Sequence, residues 1–80
     1  MIDVQALIQI VSKRRAISVE SQFGEIPSSF PYLDGLLKQS PSLEEKHLLF
    51  SLILGECIRA ENRQAEVHYL RRQLQVLPLQ

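Results

Sequence analysis

An all-α fold, a small bundle of three to four helices with a C-terminal helical hairpin, is predicted for this chain by three observations. Apolar residues recur at helical spacing in several segments, helix-start signals stand ahead of them, and the one alternating stretch, Ile17-Ser18-Val19, has nothing visible to pair with. Eighty residues make a single helical domain, 1–80, with room for one core.

The first helix is predicted over Ile2 to Arg15. Val4, Leu7, Ile8 and Val11 form its apolar stripe, Gln5, Gln9 and Ser12 its polar side, and Lys13, Arg14 and Arg15 suit the negative end of the helix dipole. From Ala16 to Phe30 the polar residues have no strong period and Gly24 and Pro27 interrupt them, so this stretch reads as a loop without a sheet. A short second helix follows, capped by Ser28 or Ser29, with Pro31 in its first turn and Phe30, Leu33, Leu36 and Leu37 on one face. Gly35 weakens it by about 1 kcal/mol relative to alanine, and it ends near Gln39.

The segment SPSLEE carries two overlapping start signals, Ser40 followed by Pro41, or Ser42 with Glu45 as a capping box. The helix that begins there is apolar on two sides, one stripe at Leu49, Leu52, Ile53 and Cys57 and another at Phe50, Leu54 and Ile58. The last helix sets Val67, Leu70, Leu74 and Leu77 at helical spacing, with Tyr69 and Val76 beside them, Asn62 as a possible cap and Pro78 as its stop. One continuous helix over 42–77 would be about three times the usual length, so a turn near Ala60 to Arg63 is preferred.

Composition restricts function. Nine Lys and Arg balance nine Asp and Glu, which argues against action through bulk charge on nucleic acid or anionic lipid. The single cysteine, Cys57, makes an internal disulfide impossible and fits a reducing compartment; the order of acid, apolar stretch and basic cluster at the N-terminus is the reverse of a secretory signal. A cytoplasmic protein is expected. Leu48 to Leu54, the longest apolar run, is far short of the roughly 20 residues that cross a bilayer.

His47, Cys57 and His68 are too widely spaced for a zinc motif, three isolated glycines make no phosphate loop, and no carboxylate pair stands out as acid and base. No cofactor, metal or enzymatic activity is expected. Arg59, Arg63, Arg71 and Arg72 make a basic side on the hairpin, but DNA-binding domains usually have a pI above 9, against about 6.7 here.

The Leu49 stripe has cover from the first and last helices. The Phe50 stripe needs more, and either the chain's own Phe23, Phe30, short second helix and Leu79 supply it, or a symmetric partner does. Small domains bury only about 60 to 65% of the unfolded chain's surface, which favours association, so a homodimer is expected. The residues expected at a dimer or partner interface are Leu49, Phe50, Ile53, Leu54, Ile58, Leu70, Leu74 and Leu77, with Arg59, Arg63, Arg71 and Arg72 steering an acidic partner.

LLKQSPSLEEKHLLFSLI, Leu36 to Ile53, carries an aliphatic pair at Leu36 and Leu37, a polar turn, Leu43 three residues before Lys46, and then Leu48, Leu52 and Ile53 on a leucine-rich helix. With FGEI (Phe23 to Ile26) upstream and AEVHYLRRQL (Ala65 to Leu74) downstream, the order resembles the biofilm-development and two-component-system connector proteins of the YmgB/AriR/YcgZ type. That resemblance implies a cytosolic, non-catalytic, dimeric regulator whose protein partner is a response regulator. Two other classes fit the same residues: a helical-hairpin chaperone or co-chaperone of a secretion system, and a DNA-binding accessory protein.

Overall fold

The computed structural model describes residues 2–39 and 41–77. The order is α1 (Val4–Arg14), β1 (Ser18–Ser21), β2 (Gly24–Pro27), α2 (Ser29–Lys38), α3 (Leu43–Arg59) and α4 (Arg63–Val76). The roles expected of Ser40, Pro78 and Leu79 lie outside the described residues.

α1 begins later than Ile2 because the Asp3 carboxylate accepts a hydrogen bond from the Ala6 amide at 3.2 Å, which caps the helix and complements its dipole. Leu7 and Val11 are buried, but Val4 and Ile8 stay exposed, so half of the expected stripe is unused.

The expected loop over Ala16 to Phe30 is a correction. β1 and β2 pair antiparallel, with Val19 opposite Ile26 and Ser21 opposite Gly24. Gly24 turns the chain with φ +86°, a conformation glycine adopts without steric cost. The Ser21 hydroxyl accepts from the Phe23 amide at 3.0 Å and donates to the Gly24 carbonyl at 2.9 Å. A lone two-stranded ribbon is marginal in water. This one is held from outside: Ile26 is buried in the core, the Ser28 amide donates to the Ile17 carbonyl at 2.6 Å, and the Ser28 hydroxyl donates to the Arg14 carbonyl at 2.7 Å. Ser28 therefore holds the N-cap position of α2, its carbonyl accepting from the Tyr32 amide at 3.3 Å, but makes no side-chain cap, its hydroxyl being spent on the end of α1.

Of the two candidate starts for α3, the capping box forms. The Ser42 hydroxyl accepts from the Glu45 amide at 3.2 Å and the Glu45 carboxylate accepts from the Ser42 amide at 3.0 Å, which holds the Glu45 carboxyl below its usual range. α3 and α4 are separate, as the hairpin reading expected. The Glu61 amide donates to the Ile58 carbonyl and the Asn62 amide to the Cys57 carbonyl, with Glu61 in the left-handed region at φ 54°, a Schellman ending that glycine more often provides. Asn62 then caps α4 by accepting from the Ala65 amide at 3.0 Å.

α2 packs on α3, α3 on α4, and α1 on α2. Phe30 and Leu33 of α2 and Leu49, Phe50, Ile53 and Cys57 of α3 are almost fully enclosed, with Leu7, Val11, Ile26, Ala65 and Tyr69 closing the cluster. The architecture is thus mostly helical with a small two-stranded sheet, rather than purely α.

Candidate partner-binding surface

The eight residues expected at an interface separate into two groups. Leu49, Phe50, Ile53 and Leu77 are buried within the chain's own core, which corrects their reading as interface residues. The physical reason is α2: this short helix docks against α3 and, with α4, covers the flank that carries Phe50. Leu54 is half-buried. Ile58, Leu70 and Leu74 remain 62%, 42% and 63% exposed. Helical spacing places Leu54 with Ile58 on one face of α3, and Leu70 with Leu74 on one face of α4.

The four arginines separate in the same way. Arg72 is not a free cation: its guanidinium meets the Asp34 carboxylate of α2 at 2.6 Å and lies 5.4 Å from the centroid of the Tyr69 ring, while the Tyr69 hydroxyl donates to Asp34 at 3.1 Å. This triad bolts α4 to α2, and it removes Arg72 from the expected steering set. Arg59 is exposed and 3.7 Å from Glu56. Arg63 and Arg71 are exposed and have no ion pair among the described residues.

Those two arginines line an open cleft of about 490 Å³ between the β1–β2 turn and α4, together with Gln22, Phe23, Gln64, Val67 and His68. The Phe23 wall is fixed at both ends. Its carbonyl accepts from the Asn62 side-chain amide at 3.2 Å and its ring sits 5.1 Å from His68 and 6.4 Å from Tyr69. A second groove, about 300 Å³, runs between α1 and α3 past Ile8, Val11, Leu52 and Gly55 to Arg15, Glu56 and Arg59.

Glu56 is the residue that local pattern reading passed over. It is a buried carboxylate that accepts from Arg15 Nε at 3.1 Å, from Arg15 Nη2 at 2.7 Å and from the Ser29 hydroxyl at 3.0 Å, so one side chain ties α1, α2 and α3 together. The hydrogen bonds to Glu56, with a smaller contribution from its charge, in turn raise the Arg15 pKa above its ordinary value. A signal was present: Glu56 extends the 49, 52, 53 stripe by one helical step, which points it inward.

Cys57 is enclosed, and burial, with smaller contributions from the Glu66 and Glu56 charges, pushes its thiol up to about 12 from an ordinary value near 9. A thiolate nucleophile is disfavoured there. Because the folded chain favours the neutral thiol, its stabilising effect is complete below the unfolded pKa near 9 and is lost as pH rises toward about 12. Tyr69, also raised chiefly by burial, adds loss in the same direction. The melting temperature is therefore expected to fall from pH 9 upward, less steeply in Cys57→Ala relative to its own value at pH 8. Ellman's reagent at pH 8 should label the thiol only on unfolding; immediate labelling of the native chain would contradict the enclosed core.

His47 is exposed and His68 is half-buried against Phe23 and Tyr69. Among the described residues no three His, Cys, Asp or Glu side chains group to hold a metal, and no helix is long and apolar enough to cross a membrane. No protein-family model, curated protein or solved structure matches this chain.

Proposed function

We propose that this chain is a small non-catalytic regulatory protein that works by protein–protein contact, pairing with a second copy and docking a protein partner. A two-component connector that binds a response regulator is the specific form implied by the family resemblance. The observation that carries the reading is the outward apolar set on the α3–α4 hairpin, Ile58, Leu70 and Leu74, which the chain's own core leaves uncovered. Leu70 and Leu74 stand one turn apart on α4, two of the positions that helix-face docking uses, and Ile58 adds an exposed apolar side chain near the end of α3.

Light scattering over a micromolar to millimolar concentration series tests this reading. The mass is expected to rise from one chain, 9.2 kDa, toward two. Ile58→Gln combined with Leu74→Gln should hold it at one, with stability within about 0.5 kcal/mol per substitution because both sites are at the surface. A chain that stays monomeric at millimolar concentration removes the self-association half of the proposal.

A further inference from the structure

The cleft between the β1–β2 turn and α4 has a charge pattern that differs from the chain as a whole. The chain is balanced at zero, yet the cleft is lined by two arginines and a histidine and by no carboxylate. Arg63, Val67 and Arg71 succeed one another at i, i+4 and i+8 on α4. At 1.5 Å rise per residue, the two guanidinium-bearing positions stand about 12 Å apart along the helix with a valine between them.

We infer that this cleft binds an extended acidic segment of a partner protein, in which an apolar residue sits midway between two carboxylates. In an extended chain the first, third and fifth residues point the same way, and the first and fifth are about 13 Å apart. That spacing matches Arg63 and Arg71, each offering a fork that suits a carboxylate, while the central apolar side chain meets Val67 and Phe23. Gln22 and Gln64 supply amide groups for the segment's backbone. The wall is prearranged: the Phe23 amide is held by Ser21 and its carbonyl by Asn62, so little ordering accompanies binding. Nucleic acid is the weaker fit, since the chain's pI is about 6.7 and phosphate recognition draws on many cations. The inference rests on the protein-binding reading but uses residues other than Ile58, Leu70 and Leu74.

The probe is a blocked, fluorescently labelled nonapeptide with Glu at positions three and seven, Leu at five, and Ser or Gly elsewhere, titrated with the full chain. Saturable binding that weakens with added salt is expected. Arg63→Gln with Arg71→Gln should reduce affinity by about tenfold, the combined loss of two exposed ion pairs. Lys13→Gln with Lys38→Gln removes the same charge elsewhere and should leave binding unchanged. Exchanging the central Leu for Ser should weaken it severalfold. In the natural chain, amide resonances of Phe23, Val67 and His68 should shift most, a readout that does not depend on how any variant folds. The proposal is overturned by absence of binding at millimolar peptide, by equal losses in the two double variants, by shifts centred elsewhere, or by an oligothymidylate that binds as tightly with the same arginine dependence. Light scattering of the Arg63→Gln, Arg71→Gln variant keeps the two readings apart: lost peptide binding with self-association retained concerns this cleft alone.

Discussion

Glu56→Ala is expected to lower the unfolding free energy by about 3 kcal/mol, toward the lower end of what breaking a buried ion pair costs. The substitution removes three accepted hydrogen bonds at once, two from Arg15 and one from Ser29. Ser29 is fully enclosed, so its hydroxyl is left without a partner, whereas the Arg15 side chain is about a third exposed and recovers water, which limits the loss. At roughly 0.05–0.15 kcal/mol per residue the whole domain has about 4–12 kcal/mol, so this single change removes a large share. The damage should begin locally: beside this clamp α1 is held by Leu7 and Val11 in the core, by the Ser28 bond to the Arg14 carbonyl and by Arg14 over the Tyr32 ring, and its amides should exchange faster than those of α3. Arg15→Ala should show a comparable loss, and the double variant little more than either, since both act on one pair. Chemical denaturation of the four chains measures this; a Glu56→Ala chain within 0.5 kcal/mol of the natural one would contradict the clamp.

Phe50→Ala is expected to cost about 3–5 kcal/mol, the range for removing an enclosed aromatic side chain from a core. In a domain of this size each kcal/mol moves the melting temperature by about 4–8 °C, so the variant should be largely unfolded at physiological temperature. Ile58→Ala, eight residues along the same helix, should stay within about 0.5 kcal/mol because that side chain is mostly in water already. The contrast separates packing from recognition. Thermal melts check it, and a Phe50→Ala chain that melts normally while losing self-association would restore Phe50 to an interface.

The helices were legible because their signals are local. The Ser42–Glu45 box and Asn62 lie within three residues of the amides they cap, and the apolar periods of α1, α3 and α4 need no knowledge of neighbours; the Asp3 cap is equally local, yet the expected start at Ile2 overlooks it. The β-hairpin was not legible, since GEIP contains a single buried apolar residue and the turn centre is Gln22-Phe23 rather than an Asn-Gly pair. Its stability comes from Ile26 in the core and from ties to Arg14, Ile17 and Asn62, all contributed by other parts of the chain. The two stripes of α3 were legible as apolar, but their fate depends on which flank α2 occupies. Phe50 is enclosed and Ile58 is not, a difference set by tertiary placement. The same holds for the cations. Arg72 of the expected basic side finds Asp34 at a separation of 38 residues and becomes a structural pair in space, as Arg15 does with Glu56 at 41.

The apolar residues of the α3–α4 hairpin divide into a set that the chain covers itself and a set that stays exposed, which the proposed self-association would cover. Side-chain methyl spectra recorded with a soluble paramagnetic agent, over a range of protein concentrations, read both sets in one experiment. Methyls of Leu49 and Ile53 should be shielded at every concentration, while those of Ile58, Leu70 and Leu74 should be accessible in dilute solution and become shielded as concentration rises. Accessible Leu49 and Ile53 methyls, or Ile58, Leu70 and Leu74 methyls that stay accessible throughout, would contradict it.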